Sequence, residues 1–147
     1  MQIRQASPGD YRRLAELHVL ARYDMAYLPH VHSFASVEKW VRETVLLRQH
    51  VWVAEIDGDV IGYASLHDGF LTNLYVHPSH QRDGIGAALL TEVQKFTSDG
   101  FKFWVFEANR DAIRFYERHG ARTVRITDGS QNQEGLPDRL MCLGTRD

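Results

Sequence analysis

Six consecutive residues, Gln81-Arg82-Asp83-Gly84-Ile85-Gly86, are the richest place in this chain for chemistry. They fall between an apolar run, Phe70 to Val76, and an amphipathic run, Ile85 to Phe96. The pattern predicts a strand, a turn with two glycines, and the first turn of a helix. A helix start leaves backbone N–H groups unpaired and carries the positive end of the helix dipole. Glycines let a ligand approach those groups closely. An anion, most naturally a phosphate, suits such a place. Two glycines before a helix also make an ordinary tight turn, so spacing alone does not choose. The Rossmann fingerprint needs a third glycine where Leu89 stands. The P-loop needs a Gly-Lys-Ser/Thr ending, which is absent.

A second segment begins at Asn109. Asn109 through Gly120 reads as a short helix, with Asn109 as N-cap, Asp111 in the first turn, Arg118 and His119 in the last, and Gly120 as the stop. Tyr116 within it is a titratable phenol; read without a ligand, it is a core aromatic with its hydroxyl at the surface. Cys142 lies in the apolar run Leu140 to Leu143 and reads as a buried strand residue. His30-Val31-His32 and His77-Pro78-Ser79-His80 lack companion cysteines and helical i, i+4 spacing, so no metal is expected.

The elements that position these residues follow from pattern. A short strand at residues 2–5 leads to a helix start at Ser7-Pro8-Gly9-Asp10, a capping-box-like arrangement. Tyr11, Leu14, Leu17 and Ala21 mark its apolar face. A second helix is expected from about Ser36 to Leu47, with Val37, Trp40, Val41 and Thr44 inward. Strands follow at Val51 to Ile56 and Val60 to Leu66, joined by an Asp57-Gly58 hairpin turn. His67-Asp68-Gly69 turns into the Phe70–Val76 strand. The helix after the glycine turn places Ile85, Leu89, Val93 and Phe96 on one face, with Gly100 as its stop. Further strands are expected at Phe101 to Phe106, Ala121 to Ile126 and Arg139 to Gly144, around a polar loop from Asp128 to Pro137. Tight turns early and helices late imply a mixed sheet.

Length and charge set bounds. The 147 residues are expected to form a single domain, 1–147. A net charge of −2 argues against nucleic acid as the main partner. One cysteine rules out an internal disulfide. No leader pattern or long apolar stretch is present, so no membrane partner and a cytoplasmic location are expected.

The string Gln81-x-x-Gly84-x-Gly86 after Leu74-Tyr75-Val76 resembles the acetyl-CoA loop of the GNAT superfamily of N-acetyltransferases, written Q/R-x-x-G-x-G/A. Asn109, Ala112, Phe115-Tyr116-Glu117 and Gly120 match that family's second motif in order and spacing. Together the motifs span roughly residues 50 to 126. The resemblance implies an α/β (α+β) fold: a mixed, mostly antiparallel sheet of about seven strands flanked by about four helices. It implies acetyl-CoA as co-substrate. It implies that Leu74 and Val76, with Tyr75 between them, run beside the pantetheine arm, and that Gln81, Arg82, Asp83, Gly84, Ile85, Gly86 and Ala87 form the pyrophosphate loop. Asn109 would contact the pantetheine and Tyr116 would face the thioester sulfur. A bulge near Asn73 and Leu74 would splay the central strands. Two positions depart from the pattern: Arg82 stands where glycine is frequent, and the acidic Asp83 where a basic or small residue is usual.

The implied chemistry is attack of an amine on a thioester. A lysine-like amine is about 3.4 units from its neutral form at pH 7, roughly 4.6 kcal/mol against the nucleophile, so proton removal matters. The leaving thiolate, near pKa 8.5, would be protonated by Tyr116 about 2 kcal/mol uphill in water, and desolvation favours the transfer. A backbone N–H around Val76 would hold the developing oxyanion. For the base, Glu107, Asp68, His30, His32 and a water chain all stay open. The family layout implies an acceptor site where Tyr27 to Phe34 meets the Asp128–Asp138 loop, drawing on Tyr27, His30, His32, Glu107 and Glu134. A small-molecule amine is the first expectation for the acceptor. The alternatives are a protein or peptide amine, or an acyl-CoA-binding regulator without turnover. A homodimer is admitted as an assembly.

Overall fold

The computed structural model describes residues 1–23, 25 and 32–144. Seven strands form one sheet in the order β1-β2-β3-β4-β5-β7-β6. They are β1 (Gln2–Gln5), β2 (His50–Ile56), β3 (Asp59–His67), β4 (Phe70–Val76), β5 (Phe101–Phe106), β6 (Arg122–Ile126) and β7 (Asp138–Leu143). Every pairing is antiparallel except β4 with β5. The two early turns explain the meander. Asp57 and Gly58 have φ of 52° and 82°, and Asp68 and Gly69 have φ of 50° and 80°. Two successive positive-φ residues match the twist of flanking strands, and Asp-Gly supplies them at low cost.

Helices cover both faces. α1 (Tyr11–Tyr23), α2 (Phe34–Trp40) and α3 (Leu46–Arg48) lie on one side; α4 (Ile85–Phe96) and α5 (Arg110–Arg118) lie on the other. Strand alternation sorts the core: Val51 and Val53 of β2 join Leu14, Leu17 and Val41, whereas Trp52 and Ala54 join Leu89, Leu90 and Phe103. α2 and α3 form one rod, four in all as expected, joined by a π turn at Val41–Val45. This rod departs from expectation. It begins at Phe34, because Ser33 Oγ accepts the Ser36 N–H at 3.1 Å and caps it earlier. The wider π turn keeps Val45, rather than Thr44, over the core. Trp40 is exposed and meets the His18 ring.

α4 also ends differently. It closes at Thr97, whose N–H and hydroxyl both donate to the Val93 carbonyl, not at Gly100. Phe96 is therefore exposed and packs on the rings of His50 and Trp52 instead of joining the core face.

Two irregularities set up the site. Ser65 pairs with Asn73 and Leu66 with Leu71, so Thr72 is an extra residue on β4. Side chains hold the bulge: buried Asn73 donates Nδ2 to Ser65 Oγ at 2.8 Å, Ser65 Oγ meets Thr72 Oγ1 at 2.7 Å, and Thr72 Oγ1 donates to Gln49 Oε1 at 2.6 Å. Beyond it, β4 and β5 part. Their register holds one pair, Phe70 with Lys102.

Candidate active site

The parting strands open a cleft of about 1010 Å³. Leu74, Tyr75 and Val76 form one wall; Gln81, Arg82, Gly84, Gly86 and Ala87 form one end; Asn109, Phe115 and Tyr116 of α5 form the other wall. Of the residues expected around a cofactor, Asp83 and Ile85 do not line it. Ile85 is buried in the core through its side chain, and Asp83 points to solvent with its carboxylate 3.5 Å from His80 Nδ1. That orientation removes most of the conflict between an acidic residue and an anion. A second hollow, about 120 Å³, lies by Gln49, Trp52 and Phe96, away from the parting strands.

The glycine turn presents the open amides that an anion site requires. Ala88 N–H makes the first helical bond, to the Gly84 carbonyl at 3.0 Å. The N–H groups of Ile85, Gly86 and Ala87 precede that bond and have no helical acceptor. Gly84 caps the helix at φ 79°. Arg82 also has positive φ, 78°, a conformation costing a non-glycine residue roughly 1–2 kcal/mol. This is the physical reason glycine suits that position, and Arg82 carries the strain while bringing a cation to the cleft. At Gly86 an added Cβ would stand 3.4 Å from Phe115 Cζ, ordinary contact, so alanine fits there and bulkier side chains do not.

Tyr116 sits on the buried face of α5, its ring centroid 4.2 Å from that of Phe103. Burial pushes its phenol pKa well up, and neighbouring Tyr75 adds to the effect. The hydroxyl therefore stays protonated and able to donate. Asn109 Oδ1 accepts the Ala112 N–H at 3.2 Å, which caps α5 and leaves Nδ2 as its remaining donor.

The cleft continues to the α1 face, where Ala21, Arg22 and Met25 line it. Arg22 Nη2 pairs with Glu134 Oε2 at 3.3 Å, and the Arg22 cation partly offsets the upward push that burial gives the Tyr75 phenol. Glu134 does not itself line the cleft; it is held beside it by Arg22 of α1, which does. Its loop is stiffly built: Asn132 Oδ1 accepts from Gly135 N at 2.7 Å, and Asn132 Nδ2 donates to Leu136 O at 2.6 Å. An added Cβ on Gly129 would strike the Leu136 carbonyl carbon at 2.3 Å. Beneath Tyr75 lies His18, its Nδ1 3.1 Å from the Tyr63 hydroxyl and its ring 5.1 Å from Tyr75. Burial lowers the His18 pKa from 6.5 to about 4, so it is neutral. Sequence reasoning missed Arg22, His18 and Tyr63. A polar His18 within the apolar stripe of Leu14, Leu17 and Ala21 was the available signal.

The proposed bases fare unevenly. Glu107 accepts from Nε and Nη2 of Arg139, which holds its carboxyl below the usual range, and it makes a poor base. Asp68 lies in the turn before β4, at the far end from the cradle. His32 is exposed. Tyr27 and His30 lie outside the described residues. Among the described residues no cluster could hold a metal ion.

Residues 48–120 match the family model of the acetyltransferase (GNAT) domain. The chain is 30% identical over 129 residues to the uncharacterized N-acetyltransferase YafP of Escherichia coli K12, covering 85% of this chain and 83% of that protein. It is 34% identical over 117 residues to the peptidyl-lysine N-acetyltransferase YiaC of the same organism, covering 75% and 78%. The chain belongs to the GNAT superfamily. Its fold agrees with those of two solved structures. The protein yncA of Salmonella typhimurium, solved with its cofactor acetyl-CoA, superposes with a TM-score of 0.78 at 24% identity, over all of this chain and 95% of that one. YjaB of Escherichia coli gives 0.78 at 17% identity, covering 98% and 97%. As a GNAT protein the chain is an acyltransferase, and acetyl-CoA fits as its co-substrate. No helix among the described residues is long and apolar enough to cross a membrane.

Proposed function

We propose that this enzyme moves the acetyl group of acetyl-CoA to a primary amine of a small molecule, by direct attack in a ternary complex. One observation carries the reading: the gap between β4 and β5 runs through the sheet, with free amides and Tyr116 on the α4/α5 side and the Arg22–Glu134 pair on the α1 side. Two substrates entering from opposite faces meet at the floor of that gap. On the first side, β4 beyond the bulge offers unpaired backbone to an extended amide-bearing arm, as a missing strand would. The α4 amides and Arg82 take the pyrophosphate.

The amine nitrogen bonds to the thioester carbonyl carbon as the carbon–sulfur bond breaks. Tyr116 gives its proton to the leaving sulfur. The amine's proton leaves through water on the α1 side, because Glu107 is committed to Arg139 and His18 is buried and neutral. Glu134 supplies negative charge where a cationic amine arrives, with Tyr75 alongside.

A second reading, the ε-amine of a lysine within a peptide, is favoured by the 34% identity to peptidyl-lysine N-acetyltransferase YiaC. Thiol release from acetyl-CoA, measured across a panel of small primary amines and lysine-bearing peptides, separates the two. Release with small amines at low concentration is expected. Release with peptides alone would favour the second reading, and none with any amine would sink both.

A further inference from the structure

Trp104 of β5 lines the cleft and is 45% exposed, although tryptophan is ordinarily well buried. Strand alternation sends Phe101, Phe103 and Val105 into the core, and turns Lys102, Trp104 and Phe106 to the α1 face. The register carries that face outward from the gap. Trp104 pairs with Leu140, and Leu140 with Arg125; Lys102 pairs with Cys142, and Cys142 with Arg122. Paired residues on adjacent strands share a face. Three cations, Lys102, Arg122 and Arg125, thus stand around the ring. The carboxylates nearby are committed elsewhere: Asp138 is buried and takes the Thr127 hydroxyl, Glu134 is held by Arg22 and Glu107 by Arg139. Among the described residues neither Lys102 nor Arg125 has an ion-pair partner.

Arg125 is the best placed of the three. Its Cζ lies over the Trp104 ring, 5.5 Å from the centroid. Stacking occupies the flat face of a guanidinium and leaves its N–H edges free to donate. It also holds a long side chain in one place, so less freedom is lost when a ligand binds. Charge and apolar surface therefore follow one order across the α1 face: Arg22 with Glu134 beside Tyr75 of β4, then Trp104 on β5, then Arg125 reaching in from β6.

We infer that the acceptor is bipolar: a primary amine at one end and a carboxylate at the other, joined by an apolar spacer that lies on Trp104 while Arg125 takes the carboxylate. A guanidinium fork matches a carboxylate with two parallel hydrogen bonds. The sheet sets the separation. β6 stands two strand spacings beyond β5, and Arg125 leans back toward β5, so the amine and the carboxylate are about 7–10 Å apart. The α-amine of an amino acid shares a carbon with its carboxylate and cannot span that distance. An ω-amino carboxylate with about five methylenes can. The inference rests on the small-amine reading of the acceptor and deepens it.

Initial rates of thiol release at saturating acetyl-CoA, with 6-aminohexanoate against hexylamine, test it. The acid is expected to show a kcat/KM at least about tenfold higher, the scale of a hydrogen bond to a charged group. The preference should shrink as salt is added and be absent from the short pair, 3-aminopropanoate against propylamine. Arg125→Ala should erase the long-chain preference, and Arg125→Lys should restore part of it. Position 125 is exposed, and a thermal melt checks that the variants fold. Hexylamine used as well as the acid by the wild type would overturn the inference and leave the small-amine reading standing. So would an Arg125→Ala variant that keeps the preference, or a short acid favoured as strongly as the long one. No thiol release with any small amine would overturn both.

Discussion

The two ends of the cleft are made of different material. On the α4/α5 side the contacts offered to a ligand are mostly backbone: the amides of Ile85 to Ala87 and the unpaired edge of β4 after Thr72. On the α1 side they are side chains, chiefly Arg22, Glu134 and Tyr75, drawn from three distant parts of the chain. A backbone site requires only that small residues stay out of the way, so many sequences can build it around one cofactor. A side-chain site is rebuilt residue by residue, and in the function proposed above this one sets the acceptor. The two should therefore break in different ways.

The largest effect is expected from Gly86→Val. Its added methyls meet Phe115 and cover the cradle, and the KM for acetyl-CoA should rise about a hundredfold or more, whereas Gly86→Ala changes it little. Equal effects of the two variants would mean the amides are not the binding surface. Next is the acid sensitivity of the α1 side. His18 has a folded pKa of about 4 against an ordinary 6.5. Between those values the unfolded chain takes up a proton that the folded protein refuses. The stabilisation is whole above about pH 6.5 and is lost as pH falls toward 4, by about 3 kcal/mol in all. Denaturant midpoints from pH 7 to 4.5 should show this slope, and His18→Asn should flatten it. Tyr116→Phe should lower kcat about a hundredfold with acetyl-CoA affinity spared; unchanged kcat would remove Tyr116 as the acid. The smallest effect is expected from Arg22→Ala: the acceptor KM rises about tenfold while the acetyl-CoA KM holds. A shift in both would erase the division between the halves.

That division also governs what the sequence made legible. Gln81 to Gly86 announced the turn and the helix start because glycines, a cap and an apolar helix face are local signals. Asp57-Gly58 and Asp68-Gly69 announced two hairpins for the same reason. Nothing local says that Arg22 meets Glu134, 112 residues later. Nor does Glu107 reveal its grip by Arg139, which depends on β5 pairing with β7. The π turn was hidden as well, because Thr44 and Val45 exchange roles through a change in winding that no hydrophobic period encodes. Arg82 shows the reverse: a departure from the family pattern acquired its account only when its φ was known.

The single rung between β4 and β5 has a further consequence. Outer strands such as β6, exposed along its whole length, offer their free amides to any neighbour and invite edge-to-edge aggregation. The free amides of β4 beyond the bulge face inward, in a slit bounded by β5 and α5. A folded neighbour cannot lay a strand there, but a slender amide-bearing chain can. The fold thus keeps the stickiest kind of protein surface, an unpaired strand edge, where folded neighbours do not reach it.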